Sequence, residues 1–134
     1  MSTAGSDYKT LRESKVRKTL DERNDCSVIA LAITTGESYG ACWNALKDAG
    51  RPHQAGALIT EMHAAAEALG YLLVDVTTSY PEVKSTRTAT KLPKNRSFLF
   101  VSTDHVSPVK GGKVADWAGG RRFRTEKIFQ VVGN

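Results

Sequence analysis

At Gly70 the spacing of apolar residues changes from a helical period to a strand period, and it does not change back. Before that point three stripes repeat at i, i+3 and i+4. Val28, Leu31 and Ala32, widened by Ile29 and Ile33, form the first; Tyr39, Cys42, Trp43 and Leu46 form the second. The third and cleanest predicts a helix over 55–69, with Leu58, Met62, Ala65, Ala66 and Leu69 on one face. After Gly70 the apolar runs are short and rich in β-branched and aromatic residues. Strands are predicted at Tyr71–Val76, Ser97–Thr103, in two short pieces around Gly111-Gly112 within 105–117, and at Lys127–Val132. Helices first and strands after predict an α+β fold, with N-terminal helices packed on a mostly antiparallel β-sheet.

The 134 residues are enough for one domain with a sizeable core, and neither a repeat nor a second domain is visible. Residues 1–10 read as a small, polar, disordered tail, and 11–134 as the domain itself. Leu11 to Leu20 is basic and reads as an arm or a short helix. The first apolar helix ends at Thr34-Thr35-Gly36, where glycine suits a left-handed cap. The second, expected from Glu37 to Ala49, ends at Gly50. Ser79 to Asn95 is polar and punctuated by prolines, so it is expected to be a long loop and the wall of any cleft.

Charge and cysteine content narrow the function classes. The net charge is +5, concentrated in Lys9–Arg23 and Arg121–Lys127. Such an excess fits a solvated face more often than a nucleic-acid surface, so a peptide or protein partner is expected ahead of nucleic acid. Arg121, Arg122 and Arg124 are the candidate binding patch. No apolar run approaches the roughly 20 residues that cross a bilayer, and the N-terminal residues contain no signal-peptide core, so a cytoplasmic protein with no membrane partner is expected. Cys26 and Cys42 are then thiols, and with His53, His63 and His105 they show no metal-ligand spacing. No metal and no cofactor are expected.

Cys26 follows Asn24-Asp25, residues that cap helices, and precedes the first apolar stripe. That places it in the first turn of a helix entering the core, where peptide dipoles favour a thiolate. Cys42, mid-helix beside Trp43, reads as core. The second element of chemistry lies on the Gly111-Gly112 hairpin. A two-residue turn there pairs Lys110 with Lys113 and Ser107 with Asp116, so His105 and Asp116 share one face as diagonal neighbours about 7–8 Å apart. Asp104 points to the other face, and a three-residue turn would move Asp116 away. A carboxylate that orients a histidine makes a general base, and a thiol beside that base makes a nucleophile.

Cys26 after "ND" and the later "DHVSPVKGGKVADW" together resemble the papain-like cysteine peptidase superfamily. The likeness runs from about Glu22 to Trp117, and is greatest to small bacterial and phage-type members such as bacteriocin-processing double-glycine peptidases. The resemblance implies a Cys26–His105–Asp116 triad: Cys26 attacks an amide carbonyl, His105 acts as base and then acid, and Asp116 orients it. Members of that superfamily place a glutamine ahead of the nucleophile to stabilise the oxyanion; here no glutamine precedes Cys26, and Asn24 is the nearest amide. The expected function is therefore a thiol hydrolase acting on a peptide, isopeptide or related amide bond, with weak or degenerate activity allowed for. Two alternatives stand beside it. One is a catalytically inactive papain-like domain that binds protein or nucleic acid through its basic surfaces; the other is a peptidoglycan-cleaving relative, whose "DCSG" signature is half matched by "DCSV".

Overall fold

A computed structural model describes residues 8–20, 22, 24–102, 105–116 and 124–133. Five helices precede five strands: α1 (Tyr8–Arg12), α2 (Lys15–Thr19), α3 (Cys26–Thr35), α4 (Tyr39–Asp48), α5 (Ile59–Ala68), then β1 (Tyr71–Asp75), β2 (Ser97–Ser102), β3 (His105–Lys110), β4 (Lys113–Val114) and β5 (Lys127–Gly133). The strands form one sheet in the order β1-β5-β2-β3-β4, antiparallel at every pairing. The α+β layout expected from the change of period is thus present, and every predicted strand has a counterpart.

α3 is the centre of the helical layer. Every residue from Ser27 to Thr34 is buried, which is the pattern of a helix covered on all sides rather than on one stripe. It lies on β2 and β3, with α1 and α4 against its other sides. Leu99 and Val101 from β2, Val106 from β3 and Phe129 from β5 join Leu31, Leu46 and Met62 in this core. Gly36 ends α3 in the left-handed conformation (φ 76°), and its N–H bonds the Ala32 carbonyl.

The segment expected to be an open loop is instead the second layer of the sheet. Two 3₁₀ turns, Thr77–Ser79 and Thr86–Lys91, carry it across the face opposite the helices. Val83, Ala89 and Leu92 are buried there against Phe98, Phe100, Val109 and Ile128. This explains why "FLFVS" has no alternation: β2 is buried on both faces, so each residue must be apolar or small. Among polar neighbours the three isolated apolar residues gave no periodic signal.

Two boundaries also differ from expectation. Tyr8 to Thr10, assigned to the tail, belong to α1, because Leu11 on the same helix is anchored in the core at 2 % exposure. Residues 1–7 lie outside the described residues. The third apolar helix begins at Ile59 rather than Ala55, and Leu58, expected on its buried face, is 67 % exposed at the N-cap position.

Candidate active site

The hairpin register follows from its turn. Gly111 and Gly112 adopt φ of 64° and 74°, the pair of positive values that a two-residue turn requires and glycine supplies without a Cβ clash. Lys110 pairs with Lys113 and Val109 with Val114, and the Ala115 N–H bonds the Pro108 carbonyl at 2.8 Å in the same register. Asp116 therefore falls opposite Ser107, diagonal to His105. The His105 Nε2–H donates to Asp116 Oδ2 at 2.9 Å, with only 6 % and 3 % of the two side chains exposed.

Cys26 arrives from the other layer. It is the first residue of α3 and His105 the first of β3, so both side chains stand at the ends of their elements. The Cys26 thiol lies close enough to the His105 ring to favour its protonated form. Cys26, His105 and Asp116, separated by 79 and 11 positions in the chain, line one cavity. Burial alone would lower the pKa of His105; hydrogen bonds to Asp116 and Cys26, with attraction to both, outweigh it and push the imidazole up to about 9.

Cys26 is partly exposed, and its neighbourhood opens into a cavity of about 680 Å³. One wall is the N-terminal arm, with Tyr8, Arg12 and Arg17; the other is the entry to α5, from Gly56 to Ile59. The segment 79–95 contributes nothing to this wall, because it packs on the far face of the sheet. Cys42 sits fully buried in the core, where burial, only partly offset by a hydrogen bond to Thr35, pushes its thiol up to about 12. The two cysteines occupy opposite chemical situations.

The start of α3 departs from the expected capping. Asp25 occupies the N-cap, but its carboxylate makes no cap hydrogen bond. It accepts instead from Arg17 Nε at 2.7 Å, Arg17 Nη2 at 3.1 Å and the Tyr39 hydroxyl at 2.7 Å. A bidentate, charge-assisted pair outweighs one backbone cap. The first amides of α3 therefore receive no cap from the Asp25 side chain. Asn24 lines the cavity and commits Nδ2 to the Gln54 carbonyl at 2.9 Å.

A second network, invisible in the sequence, holds the loop before the nucleophile. Glu22 accepts from Arg51 Nη1 and Nη2 at 3.1 and 2.9 Å and from Trp43 Nε1 at 2.6 Å. Arg51 also donates to the Asn24 carbonyl at 3.1 Å and the Ala55 carbonyl at 2.6 Å. One guanidinium therefore joins the approach to Cys26 with the loop that becomes the opposite cleft wall. Burial would raise the Glu22 pKa, but the hydrogen bonds from Arg51 and Trp43 outweigh it and hold the carboxyl low.

Of the basic patch, Arg121 and Arg122 lie outside the described residues. Arg124 is exposed and forms a β-bridge with Ser85, on the segment that covers the far face of the sheet. It does not line the cavity. His53, half exposed, donates to the Leu20 carbonyl at 2.7 Å, and His63 packs edge-on against Phe129. No group of three or more His, Cys, Asp or Glu residues positioned for a metal occurs among the described residues. No helix among them is long and apolar enough to cross a membrane. No family model matches the chain, and comparison with curated proteins and with solved structures returned no match.

Proposed function

We propose that this chain is a thiol hydrolase of papain-like type that cleaves a peptide, isopeptide or related amide bond. One observation carries the reading: a partly exposed cysteine at a helix start shares a histidine with a buried carboxylate, at the mouth of a cavity.

In the proposed cycle, Cys26 Sγ attacks the carbonyl carbon, and the carbonyl electron pair moves to oxygen. The Cys26 backbone N–H and the second amide hydrogen of Asn24 are the candidate oxyanion donors, since both residues line the cavity. As the tetrahedral species collapses, the C–N bond breaks and His105 gives its proton to the leaving amine. Water then attacks the thioester while His105 takes a proton from it; the C–S bond breaks and the thiolate–imidazolium pair returns. Asp116 keeps the ring oriented throughout.

The test is turnover of a panel of fluorogenic peptide amides. Wild type should release fluorophore with an acyl-enzyme on Cys26 detectable by mass, and Cys26→Ala should release none. A panel turned over equally by Cys26→Ala would remove Cys26 from the chemistry.

A further inference from the structure

Among the described residues that line the cavity beside Cys26, each carboxylate is paired with a cation, and one arginine is left without a carboxylate partner. Arg17 is matched by Asp25 through two hydrogen bonds. His105 is matched by Asp116. Arg12 remains: among the described residues its guanidinium meets no carboxylate, and its one side-chain hydrogen bond goes from Nη1 to the Tyr8 hydroxyl at 2.7 Å. The guanidinium also lies 5.9 Å from the centre of the Tyr8 ring, which steers the fork without neutralising it.

Arg12 is held at the cavity by more than its own side chain. Its neighbour Leu11 is anchored in the core. Its carbonyl accepts from Arg17 Nη1 at 3.3 Å, and the same Arg17 grips Asp25, the residue before the nucleophile. The arm and the start of α3 are thereby tied together. Four N–H donors of Arg12 stay available, in the fork geometry that suits a carboxylate. The facing wall offers the opposite chemistry: Leu58 and Ile59 are exposed and apolar. A cation and aliphatic groups in one cleft offer separate places for a carboxylate and an apolar group of a substrate.

We infer that Arg12 is a specificity-determining residue that binds a carboxylate of the peptide substrate, with an apolar substrate group against Leu58 and Ile59. The inference rests on the hydrolase reading of Cys26 and names the substrate class for it: acidic rather than basic peptides, despite the positive charge of the protein as a whole.

The probe is a pair of alkylating reagents of similar size, iodoacetate and iodoacetamide, each reacted with Cys26 in the full-length protein and read by mass spectrometry. Their rate ratio isolates the effect of one negative charge on the reagent. In Arg12→Gln the iodoacetate/iodoacetamide ratio should fall about two- to threefold at low ionic strength, the order of effect of one unit-charge attraction across a water-filled cleft. Arg12→Lys should keep the wild-type ratio, and salt near 1 M, where the Debye length is about 3 Å, should remove the difference. An unchanged ratio in Arg12→Gln overturns the assignment. Slow reaction with both reagents instead contradicts the hydrolase reading, and the ratio still reports on Arg12. Protection of Cys26 by short peptides separates the two sources of a carboxylate. A free C-terminus that protects better than its carboxamide assigns Arg12 to a chain end, and a glutamyl peptide that protects better than its glutaminyl twin assigns it to a side chain. Equal protection by all four overturns the inference.

Discussion

His105 Nε2 lies 2.9 Å from Asp116 Oδ2, and the neighbouring Cys26 thiol adds to the support of the charged ring. The buried imidazole would be neutral on solvation grounds alone; its two partners reverse that. Removing one should therefore be visible in the ring's titration. In Asp116→Asn the His105 pKa should drop from about 9 toward its ordinary 6.5, measured by NMR of the ring protons. An unmoved value would show that Asp116 does not support the imidazolium.

The same shift makes a stability prediction. The folded-state value lies above the unfolded value of 6.5, so the imidazolium's contribution is complete below pH 6.5 and is lost as pH rises through about 9. Wild-type Tm should fall over that window, and His105→Gln should flatten the fall. The check is a set of thermal melts at matched ionic strength.

The hairpin register can be broken without touching a catalytic atom. One glycine inserted between Gly111 and Gly112 shifts the returning strand by one residue, which exchanges its two faces. Asp116 then points away from His105. The expected outcome is a folded protein, by circular dichroism, whose His105 pKa and Cys26 labelling match those of Asp116→Asn.

These relationships were legible in the sequence to different depths. The hairpin was readable because its glycines fix a turn and the turn fixes the register, so His105 and Asp116 followed from counting. Cys26 was readable because an apolar stripe marks where a helix begins. The role of 77–95 was not, since Val83, Ala89 and Leu92 are too sparse to make a period, and only the sheet face they cover explains them. Asn24-Asp25 marked a helix start, yet the Asp25 carboxylate binds Arg17 and Tyr39, 8 and 14 positions away, and local chemistry cannot announce such partners. The Glu22–Arg51 pair spans 29 positions and left no signal at all.

Leu92 tests the second layer. It is 2 % exposed within a segment that reads as polar. Leu92→Ala should cost about 2–5 kcal/mol in chemical denaturation, as for a core leucine, while a substitution at exposed Leu72 on edge strand β1 should cost little. Equal, small effects at both positions would make the segment a loose cover.

Glu22 and Arg51 test the loop before the nucleophile. Their side chains are 0 % and 2 % exposed, so removing one partner strands a buried charge. Arg51→Met should lose about 3–5 kcal/mol, and adding Glu22→Leu should recover a large part of it. A double-mutant cycle in urea reads the coupling.

The most direct test of the central claim is the rate of iodoacetamide labelling at Cys26 and Cys42, followed by mass spectrometry across pH in wild type and His105→Ala. The account predicts fast labelling of Cys26 already near pH 6, collapsing in the variant, while Cys42, with its thiol pushed up to about 12, stays silent until the protein unfolds. Equal, slow labelling of both thiols, unaffected by His105→Ala, would contradict the thiolate–imidazolium pair and the hydrolase reading with it.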